Sequence, residues 1–209
     1  MSLGVILLII VAGLIYFGIA ERVLDRMYLT DSTAILVIVL IIIGSFFDLT
    51  ISRAPLLSIN VGGAIIPFIL SIYVITRANS SKEWIRTIVA IVLTAAGIYG
   101  ISMLFPNFGH GRDIIDPMYI FGIAGGIIAY ILGRSRRASF IAGTMGFILY
   151  NLFLFWRSAT GQIVAEIRIG GAGAFDSIII SGLLAVLIAE LVGESRERLA
   201  GGHIEENED

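Results

Sequence analysis

Seven apolar runs dominate this chain, most of them close to the ~20 residues that a helix needs to cross a hydrocarbon core of ~30 Å. They place spans near residues 3–20, 33–51, 62–77, 84–105, 117–133, 138–156 and 175–192. Such runs leave little sequence for a water-soluble domain, and the composition agrees. Hydrophobic residues make up 57% and charged residues 14% of the chain, whereas a soluble domain carries about 25% charge. The expected fold class is an all-α integral membrane protein of about seven transmembrane helices. Residues 1–193 form one polytopic domain, and 194–209 form a disordered cytoplasmic tail carrying Glu205, Glu206, Glu208 and Asp209. The first run lacks the basic start of a signal peptide and exceeds the usual apolar length of one, so it reads as a retained span.

Several chemistries are excluded or disfavoured. Cysteine is absent, which removes thiol catalysis, disulfides and thiolate metal sites. The two histidines, His110 and His203, fall in a loop and in the tail, too isolated to make a metal site, and no cofactor is expected. A net charge of -2 without a basic block gives no reason to expect nucleic acid. The lipid bilayer is the expected partner, together with a small solute or ion.

Lys and Arg set the orientation. Arg22, Arg26, Arg77, Lys82, Arg86, Arg134, Arg136, Arg137, Arg196 and Arg198 fall on one side, and Arg53, Arg112, Arg157 and Arg168 on the other. The richer side is cytoplasmic by the positive-inside rule, which puts the N-terminus outside and the C-terminus inside the plasma membrane of a prokaryote.

A six-residue pattern occurs twice, as I-N-V-G-G-A at 59–64 and I-R-I-G-G-A at 167–172. Both copies fall in extracytoplasmic connections and lead into a span running inward. Spans one to three and five to seven are therefore compatible with a parallel internal repeat. The residues before each glycine pair alternate as a strand does: Leu57, Ile59 and Val61 against Ser58 and Asn60, then Ile163, Ala165, Ile167 and Ile169 against Glu166 and Arg168. Extended backbone at membrane depth survives only when buried in protein or lining a polar cavity. The two stretches are expected to pair with each other.

These features define a candidate polar site of Asp48, Arg53, Asn60, Gly62, Gly63, Asn151, Arg168, Gly170, Gly171 and Asp176, with Tyr150 alongside. If span 33–51 is helical throughout, Asp48 lies about 22 Å along it from Thr33, inside the hydrocarbon core. An acid there implies a function and a partner, for which Arg53 and Arg168 are the candidates. The plain alternative is an interfacial carboxylate neutralised by Arg53. Asp176 and Asn60 can each cap a following helix. The glycine pairs either permit a tight strand-to-helix turn or present two bare helix starts to a ligand. Pro67 removes the N–H that residue 63 would otherwise receive. Gly122-x-x-x-Gly126 and Ala142-x-x-x-Gly146 are small-residue faces suited to close helix packing, including packing against a second copy in a homo-oligomer.

The stretches F-D-L-T-I-S-R-A-P-L-L-S-I-N-V-G-G-A-I-I-P (47–67) and I-G-G-A-G-A-F-D-S-I-I-I-S-G-L-L-A-V-L (169–187) resemble domain of unknown function 1614, uncharacterised multi-pass membrane proteins of bacteria and archaea. The resemblance covers most of the chain from the second span onward and implies a membrane fold, with no activity attached. The family pattern has an acid within a stretch like G-A-D-L-L-N-L, where this chain reads G-F-I-L-Y-N-L at 146–152. Ile148 stands at the acid's position and Asn151 is kept, so a proton relay through that acid is in doubt.

Two function classes follow. The first is a small-solute or ion transporter whose polar site lies between the two motifs. The second is an intramembrane aspartyl protease using Asp48 and Asp176, whose chemistry needs two carboxylates sharing a proton; G-A-F-D departs from the G-x-G-D of that class. A non-catalytic membrane scaffold is the third reading.

Overall fold

The computed structural model describes residues 30–77, 80–104, 117–173 and 176–199. The expected first span, 3–20, lies outside them, as do Phe175 and residues 200–209 of the tail.

Thr30 opens the described chain as an N-cap, its side chain accepting from Thr33 N, and α1 (Asp31–Gly44) follows. The expected span 33–51 therefore stops early. From Asp48 the backbone is extended, forming β1 (Asp48–Arg53) and, after a two-residue turn at Ala54 and Pro55, β2 (Leu56–Asn60). The reason is local: Leu49-Thr50-Ile51-Ser52 alternates apolar with hydroxyl residues, and Thr and Ile favour strands. Asp48 is thus a strand residue rather than one deep in a helix.

β2 runs directly into one π-helical turn (Val61–Ile65) and then α2 (Ile66–Thr76), so a strand, a wide turn and a helix form one unbroken run. Ile66 N–H reaches back to Val61 O, and Pro67 takes the first turn of α2, where a missing N–H is tolerated. After α2 come α3 (Ser81–Leu104), α4 (Pro117–Gly133), α5 (Arg136–Ala159), β3 (Ile167–Ile169) and α6 (Ser177–Leu199). Helices thus stand where the six expected spans after the first were placed, although α6 continues past residue 193, where the tail was to begin. By length and composition α3 and α5 are able to cross a membrane; α1, the 61–76 run, α4 and α6 are shorter apolar helices.

The strands form a sheet in the order β1-β2-β3. β1 and β2 are antiparallel, with Asp48 opposite Asn60 and Arg53 opposite Leu56. β2 and β3 are parallel, with Leu57 opposite Ile167, Ser58 opposite Arg168 and Ile59 opposite Ile169. The two extended stretches do pair, two residues out of the alignment that the repeated hexapeptide suggests. Burial follows the alternation: Ile167 and Ile169 are buried and Glu166 and Arg168 exposed.

Leu57, Ile167 and Ile169 pack with Ile98, Phe147 and Ile178, so the inner face of the sheet closes one end of the bundle. Small residues hold the helices together. A methyl group at Gly122 would sit 3.0 Å from Ile180 Cγ2, one at Gly126 3.0 Å from Ser181 O, and one at Gly146 2.8 Å from Thr94 Cγ2. Gly122 and Gly126 therefore pack against α6, and Gly146 against α3, all within the chain.

The exterior is strongly apolar. Ile35, Leu36 and Ile43 of α1, Ile69 of α2, Ile85 and Val92 of α3 and Ile131 of α4 are among its exposed large side chains. Hydroxyls lie inside: Ser71, Thr94, Ser139, Thr144 and Ser181 are buried.

Candidate functional site

Asn60 is the last residue of β2 and only 1% exposed. A buried primary amide is costly unless its donors and acceptor are met, and here three bonds meet them. Nδ2 donates to Ser45 O at 3.0 Å and to Asp48 Oδ1 at 2.9 Å. Oδ1 accepts from Gly63 N at 2.8 Å, capping the π turn. Val61 N adds a bond to Phe47 O at 2.9 Å. One side chain therefore joins the end of α1, the start of β1 and the first turn of the broken helix.

The second glycine pair is built differently. Gly170 has φ of 72° and Gly173 of 61°, the left-handed region that glycine alone enters freely. Gly173 N closes a turn on Gly170 O at 2.8 Å, and Asp176 N one on Gly173 O at 3.1 Å. Helix α6 starts only at Ser177, where Asp176 caps it: Oδ1 accepts from Ile178 N at 3.0 Å and Oδ2 from Ala172 N at 3.3 Å. The difference between the two copies traces to one residue. Asn60 can accept from an N–H three residues on, whereas Arg168, at the same place in the hexapeptide, has no acceptor. Helix formation there waits eight residues for an acid.

The pairs meet face to face. A methyl group on Gly63 would collide with Gly170 O and come within 2.8 Å of Gly173 O, and one on Gly170 would lie 2.5 Å from the Gly63 carbonyl carbon. Gly62 is likewise pressed against Ile41 of α1 and against Ser45, which follows that helix.

The cation partners expected for Asp48 are elsewhere. Asp48 is exposed, and its carboxylate is bonded by Asn60. Arg53 closes the far end of β1, about 17 Å away at the usual strand rise. Arg168 pairs with Glu166 at 3.2 Å on the exposed face of the sheet. Asn151 Nδ2 donates to Phe147 O one turn back in α5. Tyr150 and Ile148 are half-buried against the apolar cluster that holds Leu57, Ile98, Phe147, Ile167, Ile169 and Ile178.

Sequence reading missed Ser45, whose Oγ donates to Ile41 O at 2.7 Å and whose carbonyl anchors Asn60. Its signal was faint, a Gly-Ser pair inside an apolar run. It also missed the interior hydroxyls. Ser71, Thr94, Ser139, Thr144 and Ser181 are buried, and their side-chain oxygens have no hydrogen-bond partner among the described residues. The positions of Thr144 and Ser181 beside Gly182 and Gly143 place both at the contact of α5 with α6.

Chemically, the junction offers an exposed carboxylate backed by a buried amide, which suits a cation or a hydrogen-bond donor. The carboxylates of Asp48 and Asp176 each have their own partners.

The sequence model of a family described as "Protein of unknown function (DUF1614)" matches residues 10–188. No curated protein and no solved structure matches the chain.

Proposed function

We propose, for a chain that belongs to the DUF1614 family of proteins of unknown function, that it is a multi-pass protein of a prokaryotic plasma membrane that moves a small solute or ion. The membrane reading draws on the inversion of polarity described above, large apolar side chains outside and hydroxyls inside. About seven spans follow if residues 3–20 and the shorter helices cross with α3 and α5. The orientation draws on charge. Arg77, Lys82, Arg86, Arg134, Arg136 and Arg137 lie at the end of the bundle away from the sheet, and Arg53, Arg157 and Arg168 at the sheet end. The sheet end is then outside.

The observation that carries transport is the unbroken run from β2 through the π turn into α2, with buried Asn60 at the break bonded to exposed Asp48. Discontinuous elements of this kind form substrate sites in transporters because their unpaired backbone groups serve a ligand, and π turns are frequent at functional sites. Asp48 receives the ligand at the outer face, and passage requires the Gly63–Gly170 contact to open.

That closed contact also gives support to a second reading, a non-catalytic scaffold in which Asn60 is a structural rivet. The protease reading lacks such support, because both oxygens of Asp176 accept backbone N–H groups.

Flux of ions and small solutes into proteoliposomes, with peptide cleavage followed in parallel, separates the three. Transport predicts flux in the wild type that falls in Asp48→Asn and persists in a stably folded Asp176→Asn. Cleavage lost in both variants would instead establish the protease, and no flux and no cleavage in the wild type would leave the scaffold.

A further inference from the structure

One end of α3 carries two cations that the fold does not use. Lys82 and Arg86 are both exposed, and neither forms an ion pair among the described residues. The acid between them, Glu83, is half-buried and meets Arg137 of α5 instead, at 3.7 Å. The charge of the pair is therefore uncompensated.

Below these cations lies an apolar groove of about 290 Å³ lined by Ile85, Val89, Leu93 and, from α4, Leu132. Lys82, Arg86, Val89 and Leu93 follow helical spacing, so that the cations stand at the head of the stripe that forms the groove. From Lys82 to Leu93 is about 16 Å along the axis, close to the ~15 Å of one leaflet's hydrocarbon.

We propose that this groove holds an anionic phospholipid, its phosphate headgroup on Lys82 and Arg86 and one acyl chain along Val89 and Leu93. The proposal rests on the membrane reading above, but not on transport. Charge and length select the occupant. Two unpaired cations favour an anionic over a zwitterionic headgroup, and an apolar slot one leaflet deep matches an acyl chain. The cations belong to the end of the bundle assigned to the cytoplasm, where anionic lipid attracts basic side chains.

The test is native mass spectrometry of the full chain released from detergent, with phosphatidylglycerol or phosphatidylcholine added at equal concentration. Phosphatidylglycerol adducts are expected to exceed phosphatidylcholine adducts by about twenty-five-fold, since each of the two cations near an anionic headgroup contributes about a factor of five. The double variant Lys82→Glu/Arg86→Glu should abolish the preference, and Leu93→Trp, which fills the groove from an exposed position, should reduce adducts of both lipids. Inorganic phosphate should displace neither. Equal adducts for the two lipids, an undiminished preference in the charge-reversed variant, or displacement by phosphate would each overturn the proposal while leaving the membrane reading intact. Release of the protein from membranes by alkaline carbonate would overturn both.

Discussion

Asn60 Nδ2 and Asp48 Oδ1 are joined at 2.9 Å across the β1–β2 pair, and the two residues are not equal partners. Asn60 is buried and makes three bonds; Asp48 is exposed. Removing the amide takes the acceptor from the buried Gly63 N–H, whereas removing the carboxylate leaves its partner bonded to Ser45. Asn60→Ala should lower stability by about 2 kcal/mol or more, and Asp48→Ala by about 1 kcal/mol or less. Thermal unfolding in detergent measures both, and equal losses would show that the amide is not the anchor.

The glycine contact gives a second, independent test. A methyl group at Gly63 meets the Gly170 carbonyl, a backbone atom that cannot swing aside, so Gly63→Ala should cost about 1–3 kcal/mol by overpacking. Gly100 is the control. It lies within α3 with nothing within 4 Å of the added carbon, and Gly100→Ala should be neutral or stabilise by up to about 1 kcal/mol through helix propensity. Similar losses in both variants would mean that the two turns do not touch.

Periodicity and composition made the helices and the paired strands legible, because a run of apolar residues and a strict alternation both follow from burial on one side. Ile167 and Ile169 against Glu166 and Arg168 is such a case. What stayed hidden depended on contacts distant in sequence. The alternation from Leu49 announces a strand, but nothing in the sequence near Gly44 shows how closely Gly62 approaches the end of α1. Asn60 read as a cap for the following helix, which it is, but its burial becomes visible only when Ser45 and Asp48 fold around it. The repeated hexapeptide misled for a related reason. Six matching letters hide that Asn60 can cap and Arg168 cannot, and the two copies adopt different backbones.

Register is testable because the chain has no cysteine. The parallel pairing sets Ser58 opposite Arg168, and neighbouring strand positions fall within the Cα separation that a disulfide accepts. Ser58→Cys with Arg168→Cys should form an intramolecular disulfide on mild oxidation, seen as faster migration on a non-reducing gel. Ser58→Cys with Gln162→Cys should not, because Gln162 lies well before β3 and is tied to Arg157 instead. The opposite outcome would place the strands in another register.

At the other end of the bundle Arg136 of α5 is paired with Glu190 of α6, and both side chains are largely withdrawn from solvent, 10% and 15% exposed. Removing one member of such a pair leaves a charge with neither water nor partner, which costs about 3–5 kcal/mol for a fully buried case and less with this residual exposure. Glu190→Gln should therefore destabilise by about 2 kcal/mol or more. Arg136→Gln should do much the same. The double variant Arg136→Gln/Glu190→Gln should lose clearly less than the two single losses combined, because neither side strands a charge on the other. The interaction term comes from unfolding all four proteins under one condition. Strict additivity would mean that the pair is solvated and contributes nothing to holding α5 against α6.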